Sequence, residues 1–226
     1  MSIKHNKQFL SLINDLTPIS ESVIINKTDD QVRISRANSA STVFYTLEAD
    51  KDAFDFDGEK IAFYNFVEFY QLLNVFENAE ISLNENKLTI SSDKSKIRYI
   101  ISDPETIKAG PSQILFPSSD AKVVLESNEI KNLKKMIGLI KAKFIKFTVK
   151  DKNINFKCFN DAHDNSYEKN FPIENESDFL MKISSEVFTL IPDNKYVLEI
   201  CKEGLVKISY EKDNIKLAVY VAEIED

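Results

Sequence analysis

The chain has 226 residues, a formal net charge of −7 and 43% hydrophobic residues. This length accommodates one large domain or two of ordinary size, and this apolar content argues for a packed core and against a disordered chain. The acidic balance excludes a protein that coats nucleic acid with its whole surface, while permitting a local basic face.

Helical spacing of Phe9, Leu12, Ile13 and Leu16 predicts a first helix over Lys4–Leu16, with Lys4, Lys7, Ser11 and Asn14 on another face and Pro18 ending it. Strands are expected at about 22–27, 31–37 and 42–48, with turns at Asp29-Asp30 and Asp57-Gly58. "NFVEFYQLLNVFE", residues 65–77, reads as a second helix. Asn65 is its N-cap, Glu68 follows three residues on, and Phe66, Phe69, Leu73 and Phe76 form the buried stripe. Residues 80–103 then alternate as three short strands, carrying Ile81 and Leu83, Leu88 and Ile90, and Ile97, Tyr99 and Ile101 on one face.

Residues 104–122 break the pattern with three prolines, a glycine and several serines, so they read as a linker. The second half repeats the first. "SNEIKNLKKMIGLIKAK" is a helix capped by Ser127 or Asn128, with Ile130, Leu133, Ile137 and Ile140 as its core stripe. Strands follow at about 144–150, 153–159 and 167–171. A short helix, "SSEVFTLIP", precedes three closing strands over 196–224. Leu88 and Val206 occupy matching places in the two closing hairpins, about half the chain apart. A repeat this long is a duplicated domain, because each copy can bury its own core. The expected division is 1–106 for the first domain, 107–122 for the linker and 123–226 for the second domain, in the α+β class.

Residues 128–146 hold six lysines and one acid, Glu129. Lys131, Lys134, Lys135 and Lys141 fall on one stripe opposite the apolar one, and Lys4 and Lys7 take the matching place in the first half. A solvated helix face is the plain explanation. A phosphate-facing surface is the sharper one, since it needs cations in a row and no base-reading side chains.

Enzyme chemistry does not assemble. Cys158 alternates with Phe156 in a strand, while His163 lies in the following polar turn, so a Cys–His nucleophile is a weak candidate. Asp161, His163 and Asp164 fit a plain turn better than a metal site, and His5 has no obvious partner. The acidic run at 50–59 reads as a solvated loop. The four glycines at 58, 110, 138 and 204 are too scattered for a phosphate loop, so no catalytic residue, metal or cofactor is expected. Two cysteines at no metal-ligand spacing suit a reduced cytoplasmic setting. No apolar run nears the roughly 20 residues of a membrane-spanning helix, and "MSIKHNKQFL" lacks a signal-peptide core.

Several stretches resemble the DNA polymerase sliding clamp of T-even-type phages. They are "NAEISLNENKLTISSDKSKIRYIISDPETI", "RISRANSASTVFYTLEA", "FDFD", "PSQILFP" and "NKYVLEI…GLVKI". The resemblance spans nearly the whole length and is diffuse. It implies duplicated clamp domains with helices inside and antiparallel sheets outside, three chains closing as a homotrimeric ring around duplex DNA. It implies a non-enzymatic processivity factor, loaded by an ATP-dependent clamp loader, that tethers the replicative DNA polymerase and serves phage late transcription. Under that resemblance Lys4, Lys7, Lys131, Lys134, Lys135 and Lys141 face the hole. The second helices, 65–77 and 184–191, carry no lysine, so either those walls are neutral or the strand-borne Arg33, Arg36 and Arg98 contribute instead. Ile114, Leu115, Phe116 and Pro117, with Leu217 and Val219 as a wall, are the expected partner-peptide pocket. Ile97, Tyr99 and Ile101 of one copy would meet Tyr167 and Phe171 of the next. Competing readings are a β-rich structural or scaffold protein of a virion, a DNA-binding accessory factor that forms no ring, and an enzyme using Cys158 and His163.

Overall fold

The computed structural model describes residues 2–76, 79–92, 95–111, 114–174 and 178–224. The chain divides into two compact units. Unit 1 comprises Met1–Ser39, Phe44–Ser112 and Glu211–Leu217; unit 2 comprises Ala40–Val43, Gln113–Tyr210 and Ala218–Asp226. Each unit thus includes a short segment from the other half of the sequence.

Unit 1 begins with β1 (Ser2–His5) and α1 (Lys7–Leu16). The expected helix start at Lys4 is corrected here. Ile3 is buried and Lys4 exposed in strand alternation, and the β1 backbone pairs with neighbouring strands on both sides. The helix starts only after Asn6, whose side-chain oxygen accepts from the Gln8 and Phe9 N–H groups at 2.8 and 3.2 Å. Helix α1 buries Phe9, Leu10, Leu12, Ile13 and Leu16.

Strands β2 (Val23–Lys27), β3 (Gln31–Ala37), β4 (Val43–Asp50), β5 (Phe54–Asp55) and β6 (Lys60–Phe63) follow. Helix α2 (Phe66–Asn74) is capped as expected, by Asn65 accepting from Glu68 N–H at 3.1 Å. It buries Phe66, Phe69 and Leu73, whereas Phe76 lies past its end; residue 77, the expected helix end, is outside the described residues. Strands β7 (Glu80–Asn84), β8 (Lys87–Ser92) and β9 (Ser95–Ile100) complete the half. The strands β5-β1-β7-β8-β9 form one antiparallel sheet, and β4-β3-β2-β6 are bonded in that order beside it. Phe54, Phe63, Phe66 and Phe69 are fully buried, with Phe63 and Phe69 centroids 4.5 Å apart.

The second half of the chain repeats this plan with β10 (Ala121–Leu125), α3 (Ser127–Ile140), β11 (Phe144–Lys150), β12 (Asn153–Asn160), β13 (His163–Pro172), β14 (Phe179–Ser184), α4 (Glu186–Leu190), β15 (Tyr196–Cys201), β16 (Leu205–Lys212) and β17 (Ile215–Ala222). Its strands run β13-β12-β11-β14 in one sheet and β10-β15-β16-β17 in the other run. Glu126, rather than Ser127 or Asn128, caps α3: its own N–H is held by the Glu129 carboxylate at 2.8 Å, while Ser127 donates to the Asp193 carbonyl. Ile130, Leu133 and Ile137 are buried, and Ile140 is half-buried.

Tight turns join the strands. Asp151-Lys152 and Asp213-Asn214 both take left-handed pairs of φ angles, the pattern of a two-residue hairpin turn. Gly204, at φ 98°, supplies the same freedom in the β15–β16 turn, where Glu85 does so between β7 and β8.

Candidate functional site

Three surfaces carry the sequence-predicted residues. The first is cationic. Lys131 and Lys135 lie exposed on α3, one helical turn apart. Lys141 is exposed at the left-handed C-cap of α3, and Lys143 follows it. Lys134 differs. Its ammonium donates to the Asp193 carboxylate and, at 2.6 Å, to the Ile191 carbonyl, which ties α3 to the end of α4. Its side chain keeps 24% exposure, so the charge is largely used within the chain. In unit 1, Lys7 is exposed in the first turn of α1, and Lys4 is exposed on β1 rather than on a shared helix face. Lys7 and His5 also line a cleft of about 470 Å³ between α1 and α2, with Tyr70 and Asn74. Burial there, helped by the Lys7 charge, holds the His5 imidazole below its ordinary pKa.

The arginines offered as alternatives part company. Arg33 pairs with Glu48 at 3.2 Å, and Arg98 is exposed on β9. Arg36 is 6% exposed and donates to Ser20 Oγ, Ser22 Oγ and the Lys108 carbonyl, so it serves the fold.

The second surface is the connector. Its first part, 107–111, is fastened to unit 1. Ile107 is buried with Ile24 and Ala62, Arg36 holds the Lys108 carbonyl, and Ser35 Oγ donates to the Pro111 carbonyl. Gly110 lies so close to β3 that any Cβ would collide with the Ser35 carbonyl. A cleft of about 940 Å³ runs along this segment, lined among others by Ile24, Arg33, Lys60 and Ile107. Residues 112 and 113 of the expected linker lie outside the described residues. Beyond them Leu115 is 78% exposed, Pro117 is exposed, and Ile114 and Phe116 are half-buried. The Phe116 ring lies under the Lys207 ammonium, 5.6 Å from its centroid. Leu217 and Val219 are 1% and 0% exposed, so they belong to the core and the expected pocket wall is corrected at these two positions. Both sit at buried positions of the alternating β17 pattern.

The third surface is a pair of sheet edges. β9 ends the five-stranded sheet and β13 ends the four-stranded one. Ile97, Tyr99, Ile101 and Tyr167 are half-buried and Phe171 is buried. Tyr99 packs 5.9 Å from Phe69 and its hydroxyl donates to the Asn65 carbonyl at 3.1 Å. Tyr167, Lys169 and Phe171 face Leu133 and Glu129 of α3. Lys169 reaches Glu129 at 2.7 Å. Burial pushes the Glu129 carboxyl up, but Lys169 and the Glu126 N–H outweigh it and hold it below the usual carboxylate range.

Catalytic chemistry finds no footing at Cys158. The side chain is fully buried in β12, and burial pushes its thiol up to about 12. Among the described residues no three His, Cys, Asp or Glu side chains converge as a metal site. In the acidic run at 50–59 Asp55 is paired with Lys27, and Asp50 accepts a 2.8 Å hydrogen bond from the Asn214 amide. Among the described residues no helix is long and apolar enough to cross a membrane.

Comparison with solved structures places this architecture. The fold matches the proliferating cellular nuclear antigen of Entamoeba histolytica with a TM-score of 0.79, at 14% identity over 99% of both chains. It matches the A. fulgidus antigen, solved with the C-terminal region of FEN-1 bound, at 0.79 and 13% identity over 100% of this chain and 99% of that one. This chain has the sliding-clamp fold. No family model matches the sequence. The sliding clamp of Enterobacteria phage T4 is 24% identical over 229 aligned positions, covering 96% of each chain. The resemblance to T-even-type phage clamps is therefore borne out along the whole sequence, and the clamp fold explains why each half ends in the same three-stranded hairpin.

Two features of these surfaces were not legible in the sequence. The strap at 107–111 depends on contacts 72 residues and more apart, such as Arg36 with Lys108. Removal of Lys134 from the cationic row depends on Asp193, 59 residues away.

Proposed function

We propose that this protein is a sliding clamp that encircles duplex DNA and tethers the replicative DNA polymerase, without catalysing a reaction itself. The observation that carries the reading is topological. Two like units each end in an unpaired sheet edge, β9 in one and β13 in the other. Strands with open backbone groups pair readily with another chain. Joining β9 of one copy to β13 of the next gives a head-to-tail contact, which closes as a ring when the rotation fits. Three copies supply the six domains of a homotrimer.

The cations suit sliding. Lys7, Lys131, Lys135 and Lys141 are exposed, flexible and sequence-blind, so they attract phosphates without fixing a register. The net charge of −7 keeps the rest of the surface from binding DNA. Retention then comes from topological closure around the duplex. An ATP-dependent loader opens the ring, in the cytoplasm of a bacterial host, and late transcription uses the same tether. The exposed Leu115, with Ile114, Phe116 and Pro117, is the edge on which partner peptides dock. Division of labour follows the expected boundaries, with domains over 1–106 and 123–226 joined by 107–122.

The test is mass and retention. Light scattering over a dilution series should give a species near three times 25.9 kDa. After loading, the protein should stay on closed circular DNA and run off linear DNA of equal length. A stable dimer, or equal retention on both DNA forms, would sink the proposal.

A further inference from the structure

The four-stranded sheet β13-β12-β11-β14 has two unlike faces. The face toward α3 is closed by Ile145, Phe147, Phe156, Met181 and Ile183, all buried. The opposite face reaches solvent and holds three rows of side chains, set by the strand pairing. The middle row reads Lys182, Lys146, Lys157 and Glu168 across the four strands. Phe144 and Phe159 stand in the row on one side of it, and Leu180 and Thr148 in the row on the other.

The middle row works against the fold. Lys146 has a lysine directly opposite it on each neighbouring strand, and like charges in that position are destabilising. Glu168 reaches Lys157 at 3.0 Å, and the Lys182 ammonium lies over the Phe144 ring, 5.4 Å from its centroid. Among the described residues no carboxylate pairs with Lys146. Such a local surplus of cations, in a chain of net charge −7, is relieved by an anion from outside.

The dimensions of the face decide what kind of anion fits. Side chains on one face of a strand recur about every 6.8 Å, so the three rows stand that far apart. An extended peptide laid along the strands repeats at the same interval. It sets one apolar side chain on Phe144 and Phe159, a carboxylate over Lys146, and a second apolar side chain on Leu180, which is 57% exposed. A nucleic acid strand fits less well. Base stacking needs an open ring face. Phe144 and Phe159 are tilted 43° to each other at 5.6 Å, and Phe144 is capped by Lys182. The three lysines also span only about 10 Å, which suits a few carboxylates rather than a long polyanion.

We infer that this face docks an extended acidic segment of a partner protein, with the pattern apolar–x–acid–x–apolar centred on Lys146. It uses no residue of the connector, so it is a second docking surface beside the display at Leu115.

Fluorescence anisotropy with a labelled peptide of sequence Leu-Asp-Glu-Asp-Phe tests it. Binding should saturate at low salt and weaken as salt rises. Lys146→Gln should weaken it at least tenfold and at the same time raise Tm, because the substitution removes two like-charge contacts. Leu115→Asp should leave this binding unchanged. The proposal falls if the parent does not bind the peptide, or if the uncharged Leu-Asn-Gln-Asn-Phe peptide binds equally well. It falls if Lys146→Gln leaves the affinity unchanged, or lowers Tm and so assigns Lys146 to the fold. Loss of binding in Leu115→Asp would put the peptide on the connector instead. Tighter, Lys146-dependent binding of labelled oligothymidylate of equal charge would give the face to single-stranded nucleic acid and overturn the peptide reading.

Discussion

Lys131 and Lys134 differ by three positions and by what their charges do. Lys131 and Lys135 are exposed, so Lys131→Glu with Lys135→Glu should lower retention on circular DNA several-fold and flatten its salt dependence, leaving the melting temperature unchanged. Lys134 holds Ile191 and Asp193, so Lys134→Met should cost about 1 kcal/mol, a fall of a few degrees in Tm, with little change in retention. Circular-DNA retention and calorimetry on the two variants separate the roles. Glu129 adds a pH dependence. Its carboxyl binds a proton more weakly folded than unfolded, so it stabilises unit 2 above the ordinary carboxylate range. That contribution fades as pH falls through the range toward the lower folded value. Urea midpoints measured from neutral to acidic pH should fall less steeply for Glu129→Gln than for the parent.

At the scale of elements, the connector is half strap and half display. Gly110→Ala should cost about 1–3 kcal/mol, because the new methyl meets backbone rather than a yielding side chain. Hydrogen exchange should rise along 107–111. Leu115→Asp, by contrast, should leave stability intact and weaken binding of polymerase peptides at least tenfold, read by fluorescence anisotropy. The strands and helices were legible because their periods are local. Asn65 and its apolar stripe announced α2, and the alternation from Ile81 to Tyr99 announced β7 to β9. The first helix was misread at its start because Lys4 and Lys7 share a helical spacing, and only the pairing of β1 with two distant strands overrides it. Leu217 and Val219 were apolar in either role. Their near-complete burial, which no local pattern reports, assigns them to the core.

For the whole molecule, duplication is the feature that matters most. Each unit has its own helices, its own buried core and a terminal sheet strand, β9 in one and β13 in the other. The two edges are not alike, β9 exposing Lys96 and Arg98 and β13 exposing Asp164 and Glu168, and neither pairs well with itself. Assembly should therefore run head to tail rather than through symmetric dimers, and stop at one closed size where the rotation between copies closes. Sedimentation at rising salt should show trimer giving way directly to monomer, without a dimer plateau.

The unlike edges carry one more consequence. In the proposed ring a contact between β9 and β13 would make every copy point the same way round the axis, giving a front and a back that no rotation exchanges. Leu115 would then fall on equivalent places of every copy and on a single side. A partner gripping that side would meet DNA with a defined polarity, and a ring threaded the wrong way round would present no handle to it.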